Sequence, residues 1–190
     1  MGVEQTYAEL ASRRGLTPAG DTHPGAVTPL LTKGGGFVHS HRGPLSEGID
    51  GVIARYAYGR FAYNVVFARI PESQQFVPRL FCERKGRITD DTHYGFEVRS
   101  SRLWTESEKL NARFKVAVSP FQDDNWLRQL FIPSFIDWLG ERSPGDFSFE
   151  LAYGSLLCSV EEDDPDEAGL EQLWQAGATV AKRIRDESNE

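Results

Sequence analysis

Apolar positions at Val3, Tyr7, Leu10 and Ala11 recur at helical spacing, and Gly15 follows where a left-handed residue ends a helix. The spacing predicts a first helix over residues 3 to 14. From Thr17 to Gly51 glycine and proline interrupt the pattern, with a turn at Lys33-Gly34-Gly35-Gly36 and one short strand-like run at Phe37 to Ser40. That span, 17–51, reads as irregular edge structure. Val52 to Tyr58 and Phe61 to Ile70 are β-branched and aromatic runs divided by Gly59-Arg60, the sign of a tight hairpin. At least one face of this hairpin is solidly apolar, which calls for a covering helix.

Phe76 to Arg84, Tyr94 to Arg99 and Phe114 to Val118 read as further strands. Asp123-Asp124 opens a helical pattern through Trp126, Leu127, Leu130 and Phe131; Pro133 breaks it, Phe135 to Leu139 resume it, and Gly140 reads as its cap. Phe147 to Tyr153 and Ser155 to Val160 flank Gly154 as a second hairpin, ended by the acidic run Glu161 to Asp164. Asp164 then caps a last helix with Pro165 at its first position and Lys182, Arg183 and Arg185 in its final turn, the polarity the helix dipole favours. Its stripe of Leu170, Leu173, Trp174, Gly177, Val180, Ala181 and Ile184 should cover the sheet.

Strands cluster between helices without regular alternation, so the pattern predicts an α+β fold. We expect a mainly antiparallel sheet of about six to eight strands packed against N-terminal, central Pro-interrupted and C-terminal helices. The whole span 1–190 reads as a single globular domain of ordinary size.

Composition sharpens what to exclude. The chain is 39% hydrophobic and 12% aromatic, a folding mixture, and its formal net charge of -7 repels polyanions. Its cations stand in small, separate clusters at Arg13-Arg14, Arg84-Lys85 and Lys182-Arg183-Arg185, so no nucleic acid partner is expected. There is no apolar run of about 18 residues, and Glu4, Glu9, Arg13 and Arg14 stand where a signal core would be apolar. A cytoplasmic protein is the expectation. Met1-Gly2 to Thr6 matches the loose N-myristoylation pattern, which recurs by chance; peripheral membrane association has no other support.

The search for chemistry finds no concentrated set. Lys33 precedes its glycines instead of following them, so the phosphate-loop order fails, and no Gly-x-Ser-x-Gly is present. Cys82 and Cys158 lie in apolar strand-like runs, where a thiol serves as a small, reduced, buried hydrophobe. The acids Asp123-Asp124 and Glu161 to Asp164 are explained by capping and the helix dipole. His39 and His41, two apart on a strand, would share a side and are the candidate metal ligands, although exposed polar surface explains them as well. No catalytic residue, cofactor or metal is therefore assigned.

Glu106-Ser107-Glu108-Lys109-Leu110-Asn111-Ala112-Arg113-Phe114-Lys115-Val116 resembles the "E-S-x-x-F-N-x-x-F-x-V" signature of an uncharacterised, largely actinobacterial family related to a bacterial domain of unknown function, with Leu110 replacing the family's aromatic. Trp126 to Leu139 is similar to that family's "L-x-P-x-F-M-x-W-L" helix, and the opening Tyr7 to Gly15 and the hairpin from Tyr56 to Phe67 extend the likeness over most of the chain. The resemblance implies membrane segments ahead of the domain in many relatives, and no catalytic residues to carry over. Read from the residues alone, Glu106, Ser107 and Asn111 suit bonding to backbone in an irregular connection while Phe114 and Val116 enter the sheet.

Three functions follow as expectations. One is a non-catalytic binding or accessory module working with a protein partner. Another is a hydrolase or transferase whose site gathers distant residues such as His39, His41 or His93 beside Asp90 or Asp91. The third is zinc binding through His39 and His41.

Overall fold

Eight strands form one sheet in a computed structural model that describes residues 2–20, 28–85, 107–119 and 122–189. In chain order they are β1 (Thr17–Pro18), β2 (Gly36–Ser46), β3 (Ile49–Tyr58), β4 (Phe61–Arg69), β5 (Arg79–Arg84), β6 (Phe114–Val118), β7 (Ser148–Ala152) and β8 (Ser155–Glu161). The spatial order is β1-β2-β3-β4-β8-β7-β5-β6, and every neighbouring pair is antiparallel. The helices are α1 (Val3–Arg14), α2 (Glu108–Arg113), α3 (Asp124–Leu130), α4 (Pro133–Glu141) and α5 (Glu167–Asn189). The α+β class, the antiparallel sheet and both hairpins are as the pattern predicts.

Registers across the sheet separate two faces. His41, Ile53, Val66, Cys158, Phe149, Cys82 and Val116 lie in one cross-strand row. From Ile53 onward this row is buried and apolar, and it belongs to the large core under the helices. The alternate residues Arg42, Val52, Phe67, Leu157, Glu150, Phe81 and Ala117 form the opposite row, in which charge and hydrocarbon are mixed. We call these the inner and outer faces.

Helix α5 lies on the inner face against β2, β4 and β8, and α1 packs beside it. Close approach is allowed at Gly177, where a Cβ would stand 2.6 Å from Val66 Cγ1. Trp174 is 1% exposed and sits in the core, as its place on the apolar stripe predicts. Beyond α5 the inner face is covered by α3 and α4, whose aromatics pack with those of β7: Phe131 and Phe135 lie 6.4 and 6.3 Å from Phe149.

Several boundaries differ from the sequence reading. The span 17–51 is not mainly irregular, because β2 runs for 11 residues through Gly43 and Pro44. A proline is tolerated there because β1 pairs with β2 only at His41 and Arg42, which leaves Pro44 along an outer edge. The strand expected from Phe76 starts at Arg79, after a 3-10 turn over Pro71–Gln75 and after Pro78. Helix α4 passes through Gly140 instead of ending on it. Helix α5 starts at Glu167, capped by Asp166, whose Oδ1 accepts from Gly169 N at 2.6 Å, and it outruns its basic residues to Asn189. Residues 108–113, read as an irregular connection, form α2, with Ser107 Oγ accepting from Leu110 N at 3.3 Å as its cap. The expected strand Tyr94 to Arg99 lies outside the described residues.

Candidate functional site

The outer face is built from the side chains that the β3–β4 hairpin points away from α5. Phe37, Ala54, Tyr56, Tyr63, Val65, Phe67 and Leu157 form a second, smaller apolar cluster there. Its cover is no α-helix but a short strap, residues 28–35, which carries a 3-10 turn at Leu31–Lys33 and inserts Leu30 and Leu31.

Polar side chains hold the strap at two points. Glu150, buried on β7, accepts from Leu30 N at 3.0 Å. The Tyr56 hydroxyl donates to Leu30 O at 3.1 Å and accepts from Gly35 N at 2.8 Å. Burial is the main cause that pushes this phenol above its ordinary pKa, so it remains a donor at physiological pH. Gly35 is needed for the approach: a Cβ there would lie 2.4 Å from Ala57 O and 2.5 Å from the Tyr56 ring.

Beside the strap, an open cavity of about 310 Å³ remains over β2, β3 and β4. Its floor is Phe37, Val52, Ala54, Val65 and Phe67, and its polar lining is Ser40, Arg42 and Arg69. Ala19, fixed by its N–H to Ser40 O at 2.9 Å, closes one side. The described lining holds no carboxylate, histidine or cysteine, so the Ser40 hydroxyl has no general base beside it within that lining. It can bind hydrocarbon and present positive charge.

The candidate metal ligands His39 and His41 lie elsewhere. A β-bulge between Val38 and His41 puts His39 in the left-handed region at φ 56°, and its ring lies 5.8 Å from that of Tyr7 on α1. His41 falls on the inner face by register, with Nδ1 3.0 Å from His39 O. Both histidines thus stand on the α1 side, away from the cavity, and among the described residues no group of three or more potential ligands forms. Next to them the buried Tyr7 hydroxyl donates to Asn64 Oδ1 at 2.8 Å; burial raises this phenol too.

His93, Asp90 and Asp91, the other members named for an assembled enzyme site, lie outside the described residues. Cys82 and Cys158 are fully buried on the inner face, with burial pushing both thiols up. They flank Phe149 across β7, two strands apart, which is about 10 Å by strand spacing and too far for a disulfide. Asp123 is a plain cap, with Oδ1 accepting from Asn125 N and Trp126 N. Gly34, φ 78°, ends the 3-10 turn at Lys33, with no helix following. Among the described residues no helix is long and apolar enough to cross a membrane.

The cavity escaped the sequence reading because its floor comes from three strands whose residues look like ordinary core. The one available signal is the apolar character of both faces of the Phe61 to Ile70 run, which asks for a cover on each side of the sheet.

No family model matches the chain, and no curated protein matches it. Among solved structures, the crystal structure of the mycobacterial trehalose monomycolate transport factor A, TtfA, is similar. Its TM-score is 0.62 at 8% identity, covering 98% of this chain and 94% of that chain. At that identity the likeness is one of fold.

Proposed function

We propose that this chain is a non-catalytic accessory module that binds an apolar ligand in the outer-face cavity. The observation that carries the reading is the cavity itself, apolar on its floor, open, and without a described carboxylate, histidine or cysteine in its lining. At about 310 Å³ it is at the small end of ligand pockets, which run from about 300 to 1,000 Å³. The likeness in fold to a transport factor supports an accessory, transport-related role over a hydrolase or transferase.

A protein partner is less well supported. Among the described residues, the large hydrophobics that are exposed are Val38, Tyr58 and Tyr153, each 38% exposed, with Tyr153 on the β7–β8 turn well away from the other two. Membership of the actinobacterial family and a cytoplasmic location belong to the same proposal. They are supported by the mycobacterial source of the structural neighbour and by two free buried thiols.

The test uses a neutral amphiphile, decanol, titrated below its solubility limit and followed by two-dimensional amide NMR. Shifts confined to β2, β3 and β4 are expected, and Val52→Trp, which fills the cavity from a half-buried position, should abolish them. Shifts spread over the whole surface, or unaffected by Val52→Trp, would overturn the reading.

A further inference from the structure

We infer that the cavity recognises a carboxylate-headed acyl chain of medium length, with Arg42 and Arg69 taking the head and the floor taking the tail. This rests on the reading of the cavity as a ligand site and goes further by naming the ligand class.

The argument is one of charge beside hydrocarbon. Some cations elsewhere on this acidic chain have carboxylate partners, Arg13 with Glu167, Arg14 with Glu171, Lys109 with Asp137 and Arg183 with Glu187, whereas Arg42 and Arg69 border the apolar floor of the cavity. Arg42 is exposed, and its guanidinium makes no hydrogen bond or ion pair among the described residues. Arg69 gives one N–H to Ser155 Oγ at 2.5 Å and keeps its other donors for a ligand.

Among the described residues no carboxylate pairs with these cations. Asp50, beside Pro44 on β2 and next in register to Arg69 on β4, is exposed, lies outside the cavity lining and makes no ion pair with either arginine. Glu150 is engaged with Leu30 N beneath the strap. The two arginines project from β2 and β4, two strands apart and offset by two residues because Arg42 shares its row with Val52 and Phe67, about 12 Å by strand spacing and rise and within the joint reach of their side chains.

Between them runs the apolar row Val52–Phe67, continued by Ala54 and Val65. A carboxylate there receives charge-assisted hydrogen bonds while its chain leaves water. A neutral head loses those bonds, and a cationic head meets like charge. The small volume favours a medium chain over a long one.

Isothermal titration of the full chain with decanoate and decyltrimethylammonium below their micelle concentrations, and with decanol below its solubility limit, tests this. Decanoate should bind at least about tenfold more tightly than decanol, the worth of one or two charge-assisted bonds. The ammonium compound should bind most weakly. The Arg42→Ala/Arg69→Ala double variant should lose the decanoate advantage while keeping decanol affinity, and Arg42→Gln, which preserves the stem, should lose part of it. Unchanged thermal melting of these exposed-site variants checks their fold.

Equal affinity for decanoate and decanol in the wild type, or an advantage that survives the double variant, would overturn the carboxylate assignment while leaving the cavity reading in place. Binding of none of the three would overturn both.

Discussion

The two faces of the sheet solve the same problem by opposite means. On the inner face, helices bring their own hydrocarbon and close the core, with Trp174, Trp126, Phe147 and Phe149 each no more than 2% exposed. On the outer face, a strap of a few residues does the covering, and it needs polar fasteners because it has too little apolar surface to hold itself down. A helix satisfies its backbone internally, whereas this strap closes one 3-10 turn, with Lys33 N on Leu30 O and Gly34 N on Leu31 O, and hands Leu30 N and Gly35 N to side chains. The difference teaches why the open cavity stands on the outer side: a thin cover ends where its last fastener ends.

The largest blow to this contrast should come from Trp174→Ala. Removing a large buried aromatic from the inner core costs about 3 to 5 kcal/mol, against less than about 0.5 kcal/mol for the exposed neighbour Gln175→Ala, both read by urea denaturation. Equal, small effects would show that α5 does not seal the inner face.

Gly177→Ala comes next. Its new Cβ would collide with the β-branched Val66, and the overpacking cost of about 1 to 3 kcal/mol should exceed the roughly 1 kcal/mol gained in helix propensity. Adding Val66→Ala should remove that overpacking penalty, seen as a favourable coupling in a double-mutant cycle by the same denaturation.

On the outer face, Tyr56→Phe should cost about 1 to 3 kcal/mol, since it strands Gly35 N and leaves Leu30 O with Lys33 N as its remaining donor. The distinguishing readout is local: amide exchange should quicken within residues 28–35 and stay slow in α5. Uniform acceleration would mean that the strap is not a separate unit.

The smallest expected effect is at the α1–α5 seam. Arg14 Nε donates to Glu171 Oε2 at 2.9 Å, and that hydrogen bond is the main reason Glu171 lies below the usual carboxylate range. With a depressed folded pKa, its contribution is present at neutral pH and is lost as pH falls through that depressed value. Because the pair is partly solvated, a cycle with Arg14→Ala and Glu171→Ala should give at most about 1 kcal/mol of coupling at neutral pH, less in high salt and none in strong acid.

What was legible in the sequence follows from how local each signal is. Gly59-Arg60 and Tyr153-Gly154 mark hairpin turns through residues that sit in the turn itself, and Asp123 caps with its own side chain. The stripe of α5 is periodic over more than twenty residues, which averages out local noise. Less was visible where partners decide. Strand β2 survives its Gly43 and Pro44 because β3 pairs along it, and the bulge at His39 shifts which residues face the cavity. A reader counting by twos along Phe37 to Arg42 puts His39 and His41 together for the wrong reason and cannot find the turn of Ser40 and Arg42 toward Val52. The cavity depends on that shift, on three strands, and on where the strap ends.

Cys82 and Cys158, held apart by Phe149 at the centre of the sheet, also act as a clock. Neither thiol can reach solvent or the other while β5, β7 and β8 stay paired, and the thiolate that reacts with an alkylating reagent is suppressed by burial. Labelling in excess reagent therefore times the opening of the sheet's middle. Simultaneous loss of both thiols would mark that middle as one cooperative block, whereas an earlier loss of Cys82 would reveal that the β5–β6 end peels away first.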